Sequence, residues 1–187
     1  THVITLGAAT YKDPITFRAP NAGGQIVITG TQTGTGDASI TFNSPDNRLS
    51  AAVTTANQLI RFQGNTTVLP GSASINSGTG LTQFDAGLNM NGQSLTIRAN
   101  AIDFLGGASS VTGTGVGTLT ILGATDATTI GLGGGSGTLQ LDDTDLLAFS
   151  DEAVGQFVFG SSFYTGDITL DSVTFRDAVR VENIAAG

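Results

Sequence analysis

Phenylalanine recurs along the first half of this 187-residue chain on a near-constant beat: Phe17, Phe42, Phe62, Phe84 and Phe104, with gaps of 25, 20, 22 and 20 residues. Each closes a triplet whose first member is usually apolar: Ile15-Thr-Phe17, Ile40-Thr-Phe42, Ile60-Arg-Phe62, Thr82-Gln-Phe84 and Ile102-Asp-Phe104. Apolar residues at i and i+2 with a polar residue between them line the buried side of one strand. A fixed recurrence of such a strand marks stacked repeat units, because periods of roughly 20–50 residues belong to repeat architectures. The beat continues as Leu119-Thr-Ile121, Leu139-Gln-Leu141, Phe157-Val-Phe159 and Val179-Arg-Val181. The pattern predicts one all-β domain over 1–187, a parallel β-solenoid with an internal aromatic and aliphatic ladder. About eight or nine coils, with strands about 4.8 Å apart, make a rod roughly 40 Å long.

A second strand track falls between the phenylalanines: Ile26-Val-Ile28, Val53, Val68-Leu69, Leu88-Asn-Met90, Val111, Ile130-Gly-Leu132 and Ile168-Thr-Leu170. A third is patchy, with Ile75 and Leu95-Thr-Ile97 as its best members. Two or three faces per coil follow. Helical periodicity is nearly missing, and Gly, Thr, Ser and Asn interrupt every apolar run. An antiparallel sandwich also places strands every 8–12 residues and is the competing architecture. It calls for tight hairpin turns, of which Asn91-Gly92 is the clearest candidate. One segment leaves the rhythm. Asp142 to Glu152 reads as a capped short helix with acids in its first turn, burying Leu147 or Phe149.

Charge is sparse, at 12% of residues against 39% hydrophobic, which argues for a folded chain. The net charge of −8 lies wholly in residues 126–187, where ten acids meet two bases. That field disfavours nucleic acid and acidic membrane surfaces as partners. No run of 18 apolar residues exists, so no membrane-inserted segment is expected. Cysteine is absent, which removes disulfides, thiolate chemistry and cysteine zinc sites. The chain begins at Thr1 without Met or a charged-then-apolar leader, and is expected to be a processed or excised piece.

Candidate chemistry is thin. His2 is the only histidine, close to the terminus, whereas a Ser-His-Asp arrangement needs a positioned base. Gly133-Gly-Gly-Ser-Gly137 and Gly113-Thr-Gly-Val-Gly117 lack the Lys-Ser/Thr pair and following helix of a phosphate loop, and read as turns. Gly134-Gly-Ser-Gly-Thr-Leu139 has leucine where a calcium-binding nonapeptide needs aspartate. Asp142, Asp143, Asp145 and Asp151 could converge on calcium through oxygen ligands. The favoured alternative is a capped, solvated helix start, so no metal is assigned. Asp85 and Asp103 hold near-equivalent repeat positions, and paired carboxylates are what sugar hydrolysis requires. Asp103 should point outward between two inward residues, and the chain has one lysine, so isolated surface acids are the favoured reading. Thr31-Gln-Thr-Gly-Thr35 and Thr112-Gly-Thr114 are too few, and too different in register, for an ice-binding array. We therefore expect no catalytic, cofactor-binding or metal residues and no enzyme activity.

Pro14 to Gly30, Thr54 to Leu69 and Gly131 to Asp142 share a strand-and-turn pattern, and Ile168-Thr-Leu-Asp-Ser-Val-Thr-Phe-Arg-Asp177 repeats the opening one. These stretches resemble the β-strand repeats of filamentous-haemagglutinin-like bacterial surface adhesins, especially those common in cyanobacteria. The similarity covers most of the chain. It implies a right-handed parallel β-helix, extracellular or at the cell surface, serving as an adhesin shaft with surface glycans as candidate partners. Nothing here matches that family's secretion domain. Two expectations follow: an internal piece of a longer parent chain, or a short relative that self-associates through its end coils. The alternative function is a polysaccharide-processing enzyme or carbohydrate-binding module on the same fold.

Overall fold

A computed structural model describes residues 2–184. The first coil runs through three short strands, β1 (Val3–Leu6), β2 (Ala9–Tyr11) and β3 (Ile15–Arg18), each on a different face. We call these faces I, II and III. The second coil supplies β4 (Gln25–Ile28) and β5 (Gln32–Gly34), and then β6 (Ile40–Leu49), which starts on face III and bends round the corner onto face I. β7 (Ala52–Thr54) returns to face II, and β8 (Ile60–Val68) repeats the III-to-I bend. β9 (Ser74–Phe84) spans II to III, β10 (Leu88–Asn89) lies on I, and β11 (Leu95–Phe104) again spans II to III. The result is a solenoid of about eight coils of about 22 residues. Every ladder among the described strands is parallel, which rules out the sandwich.

The phenylalanine column forms as the spacing predicts. Phe17 pairs with Phe42, Phe42 with Phe62, Phe62 with Phe84 and Phe84 with Phe104. Ring centroids stand 5.0–5.7 Å apart and the planes lie within 20° of parallel. The strand spacing imposes this offset stack, and the four inner rings are buried. Phe17, on the first coil, is only half-buried. The corner between faces II and III turns through left-handed backbone at Gly36, Asn57 and Gly78 on successive coils, with φ of 64°, 66° and 58°. Glycine and asparagine are the residues that accept it. Asn91 and Gly92 likewise have positive φ, but they turn the chain from β10 into β11 round a corner and make no hairpin.

Beyond β11 the coils lose their regular length. β12 (Val111–Thr112) and β13 (Thr118–Leu122) continue faces I and II. β14 (Ile130–Leu132) is then laid down ahead of its turn, and β15 (Leu139–Leu141) folds back beside it, packed against β11. The helix α1 (Asp143–Leu147) follows, and Phe149 bridges to Val111 on face I. β16 (Gln156–Gly160) and β18 (Val179–Glu182) extend face II, while β17 (Ile168–Leu170) pairs with β14 on face III.

The inter-coil register corrects six assignments, and for those beyond β13 the insertion has shifted the phase of the repeat. Leu119-Thr-Ile121, Phe157-Val-Phe159 and Val179-Arg-Val181 stand over Leu95-Thr-Ile97 on face II, outside the phenylalanine column. Ile130-Gly-Leu132 and Ile168-Thr-Leu170 lie on face III with Leu139-Gln-Leu141, and Val53 lies on face II. Face II is continuous: its inward row reads Ala9, Gln32, Val53, Ile75, Ile97, Ile121, Phe159 and Val181. In sequence it reads as patchy because Ala9 and Gln32 interrupt the apolar pattern and because Val53, Leu119, Phe157 and Val179 read as members of the other two tracks. Gln32 is fully buried, donates to the carbonyls of Gly7 and Gly30, and accepts from the Tyr11 hydroxyl at 2.6 Å. Its polar atoms are thereby satisfied.

Candidate functional site

The outward side of face III carries an ion pair between neighbouring coils. The Arg61 guanidinium, one coil below, clamps the Asp85 carboxylate, with Nη2 2.7 Å and Nε 3.0 Å from Oδ2. Gln83 donates to Oδ1 at 2.6 Å. Burial alone would raise this carboxyl. The hydrogen bonds from Arg61, Gln83 and Gln63, with the Arg61 charge, outweigh burial and hold it below the usual carboxylate range. Asp85 is therefore an ionised partner in an inter-coil bridge, poorly suited to donate a proton. Asp103 does point outward from between Ile102 and Phe104, but the acids beside it come from the inserted segment and Asp85 is not among them.

Those acids are Asp142 and Asp145. Asp142 caps α1, its carboxylate accepting from the backbone N–H groups of Thr144 and Asp145 at 2.8 and 3.1 Å. Asp145 completes the box by reaching back to the Asp142 N–H. Its other oxygen accepts from the Phe104 N–H at 3.2 Å, holding the helix against the end of β11. Burial pushes the Asp145 carboxyl up. The Phe104 hydrogen bond opposes that, the negative charges of Asp142 and Asp103 add to it, and the outcome is about 6. Asp103 is raised as well, by burial and then by Asp142. The helix start predicted from sequence is present, whereas Leu147 is exposed and Phe149 takes the buried place. Asp143 is exposed in the first turn of the helix, and Asp151 is exposed beyond it. Among the described residues no three His, Asp or Glu side chains are arranged to hold a metal ion.

Both glycine-rich segments are close crossings of backbone. A side chain on Gly131 would overlap the carbonyl of Gly135, and one on Gly113 would overlap that of Ala153. His2 is exposed beside β1, with its carbonyl accepting from Gln25.

Face I carries the side groove. Arg48, Thr67, Asn89 and Thr112 form an outward row in register. In the adjacent row Gly87 leaves a dip of about 370 Å³ lined by Asn65, Thr67, Gly87, Asn89, Ser110 and Thr112. The Gly87 N–H donates to the Asn65 side chain at 3.1 Å. The lining is uncharged and rich in hydroxyl and amide groups. Sequence reading missed this groove, because the register that aligns its residues on neighbouring coils cannot be counted from irregular spacings.

The two ends are the remaining exposed features. β1, β2 and β3 at one end and β17 and β18 at the other each pair on one edge only among the described residues. Leu170 and Val181 remain 45% and 42% exposed there, and Val3 51% at the opposite end. Among the described residues no helix is long and apolar enough to cross a membrane. Compared with protein-family models, curated proteins and solved structures, the chain finds no match.

Proposed function

We propose that this chain is a structural shaft segment of an extracellular or cell-surface assembly, of the kind its filamentous-haemagglutinin-like strand repeats imply. The observation that carries this reading is the unbroken phenylalanine column, continued by parallel ladders along about eight coils. Such an interior couples each coil to the next and resists bending, while the outer faces present mostly small polar groups. The end coils are the joining surfaces, continued either by further coils of a parent chain or by another molecule. The acids fit structural work: Asp85 bridges coils, and Asp142 and Asp145 fasten a helix. Incubation with acidic and neutral polysaccharides, followed by chromatography, should release no oligosaccharide. Release that Asp103→Asn or Asp145→Asn abolishes would overturn the shaft in favour of an enzyme.

A second reading rests on the face I groove. Uncharged hydroxyl and amide groups in register suit a neutral glycan running across the coils, which would make the shaft adhesive along its side. Titration calorimetry with neutral oligosaccharides tests it. Binding should weaken on Asn89→Ala and on filling the dip with Gly87→Gln.

A further inference from the structure

We propose that the occupant of the open ends is a second copy of this chain, stacked tail to head, with β17 of one molecule pairing with β3 of the next. This deepens the shaft reading and rests on it, and four observations fix the register. The face III edge at the tail reads Ile168-Thr-Leu-Asp171, and that at the head reads Ile15-Thr-Phe-Arg18. Along face III the inward row runs Ile15, Ile40, Ile60, Thr82 and Ile102 from the head, and Ile168 stands on Ile130 at the tail. Continuing the ladder by one step puts Ile168 on Ile15, Thr169 on Thr16 and Leu170 on Phe17. The exposed Leu170 would then cover the half-buried ring that opens the phenylalanine column.

The same step puts Asp171 beside Arg18. Both are exposed, and neither makes an ion pair within its own chain among the described residues. Charge at the two ends is complementary more broadly. Lys12 and Arg18 outnumber Asp13 in the first coil, whereas Asp167, Asp171, Asp177 and Glu182 outnumber Arg176 and Arg180 in the last. On face II the register Phe159 to Val181 carries Val181 onto Ala9. Tail-to-head stacking keeps every strand parallel, whereas a two-fold contact would join the free edges antiparallel and bring like-charged ends together. Unpaired strand edges flanked by exposed apolar side chains pair with a compatible edge.

The cysteine-free sequence gives a clean test. Two single variants, Thr16→Cys and tagged Thr169→Cys, both at exposed positions, are mixed at high concentration and oxidised. Disulfide-linked heterodimers should dominate over either homodimer, because cross-strand neighbours in this register fall within disulfide reach. Sedimentation of the unmodified chain should show association that rises with concentration. Asp171→Arg should weaken it at least about tenfold by setting like charges together, and the exchange Arg18→Asp with Asp171→Arg should restore it. A strictly monomeric chain, homodimers as the main product, or association indifferent to Asp171→Arg would overturn the proposal. The shaft reading fails separately, by the polysaccharide assay, since a shaft continued by covalently linked coils leaves the isolated chain monomeric.

Discussion

In the phenylalanine column Phe62 is held by two stacked neighbours at 5.0 and 5.2 Å, so its loss removes contacts on both sides at once. Phe62→Ala should cost about 3–5 kcal/mol in urea unfolding, from lost burial and the cavity left behind. Phe17→Ala should cost clearly less, because its ring has one stacked partner and remains half exposed. Equal losses at the two positions would deny that the column is a cooperative interior stack. Asp145 makes a different prediction. Its carboxyl sits at about 6 in the folded chain against an ordinary 3.8, so the folded state holds the proton more tightly than the unfolded state. Stability contributed by this group is therefore present below pH 4, declines as pH rises to 6, and stays low above. With solvent screening the decline is of the order of 1–2 kcal/mol. Asp145→Asn should gain on the parent chain as pH rises from 4 to 7. A difference that is flat or falls with pH would remove this account.

At the scale of elements, α1 has five residues and cannot nucleate alone, so it depends on its cap and on the Asp145–Phe104 bond. Asp142→Ala should cost about 1 kcal/mol, read by thermal or urea unfolding. The fold-back of β14 and β15 depends on bare backbone. Gly131 lies under the Gly135 carbonyl, and Gly135 lies against that of Thr169. Gly135→Val should destabilise by more than about 2 kcal/mol, because backbone on both sides cannot move aside. Gly7→Ala, where the added carbon meets nothing within 4 Å, should change stability by less than about 0.5 kcal/mol. Comparable effects at the two glycines would contradict the crossing.

Over the whole molecule, stability is distributed as in other stacked repeats, each coil resting on its neighbours. The long strands β6, β8, β9 and β11 sit in the middle coils and bury nearly every inward residue, whereas β17 and β18 are short and half exposed. Native-state hydrogen exchange should therefore protect residues 40–104 most and residues 168–182 least. Protection equal along the rod would imply a single cooperative unit and a stiffer tail than the strands suggest.

The sequence alone determined the class of fold and its central column. Large apolar residues at fixed spacing with polar residues between them have few other ways to bury one face, so Phe17 to Phe104 were legible as stacked. The capped helix start was legible too, because Asp142 and Asp145 act within one turn. Tertiary structure alone decided the rest. Once β14 is laid ahead and β15 returns, the spacing between successive strands on face II grows from 24 residues (Ile97 to Ile121) to 38 (Ile121 to Phe159). After that a triplet's place in the sequence no longer reports which face it joins, which is why Phe157 and Val179 leave the phenylalanine column, whereas Leu119, ahead of the insertion, simply stands one coil after Leu95 on face II. Asp103 met Asp142 and Asp145 across the same insertion, and Asp85 found Arg61 one coil away. The groove on face I and the match between Asp171 and Arg18 likewise depend on inter-coil register, which backbone hydrogen bonds set and local sequence does not encode.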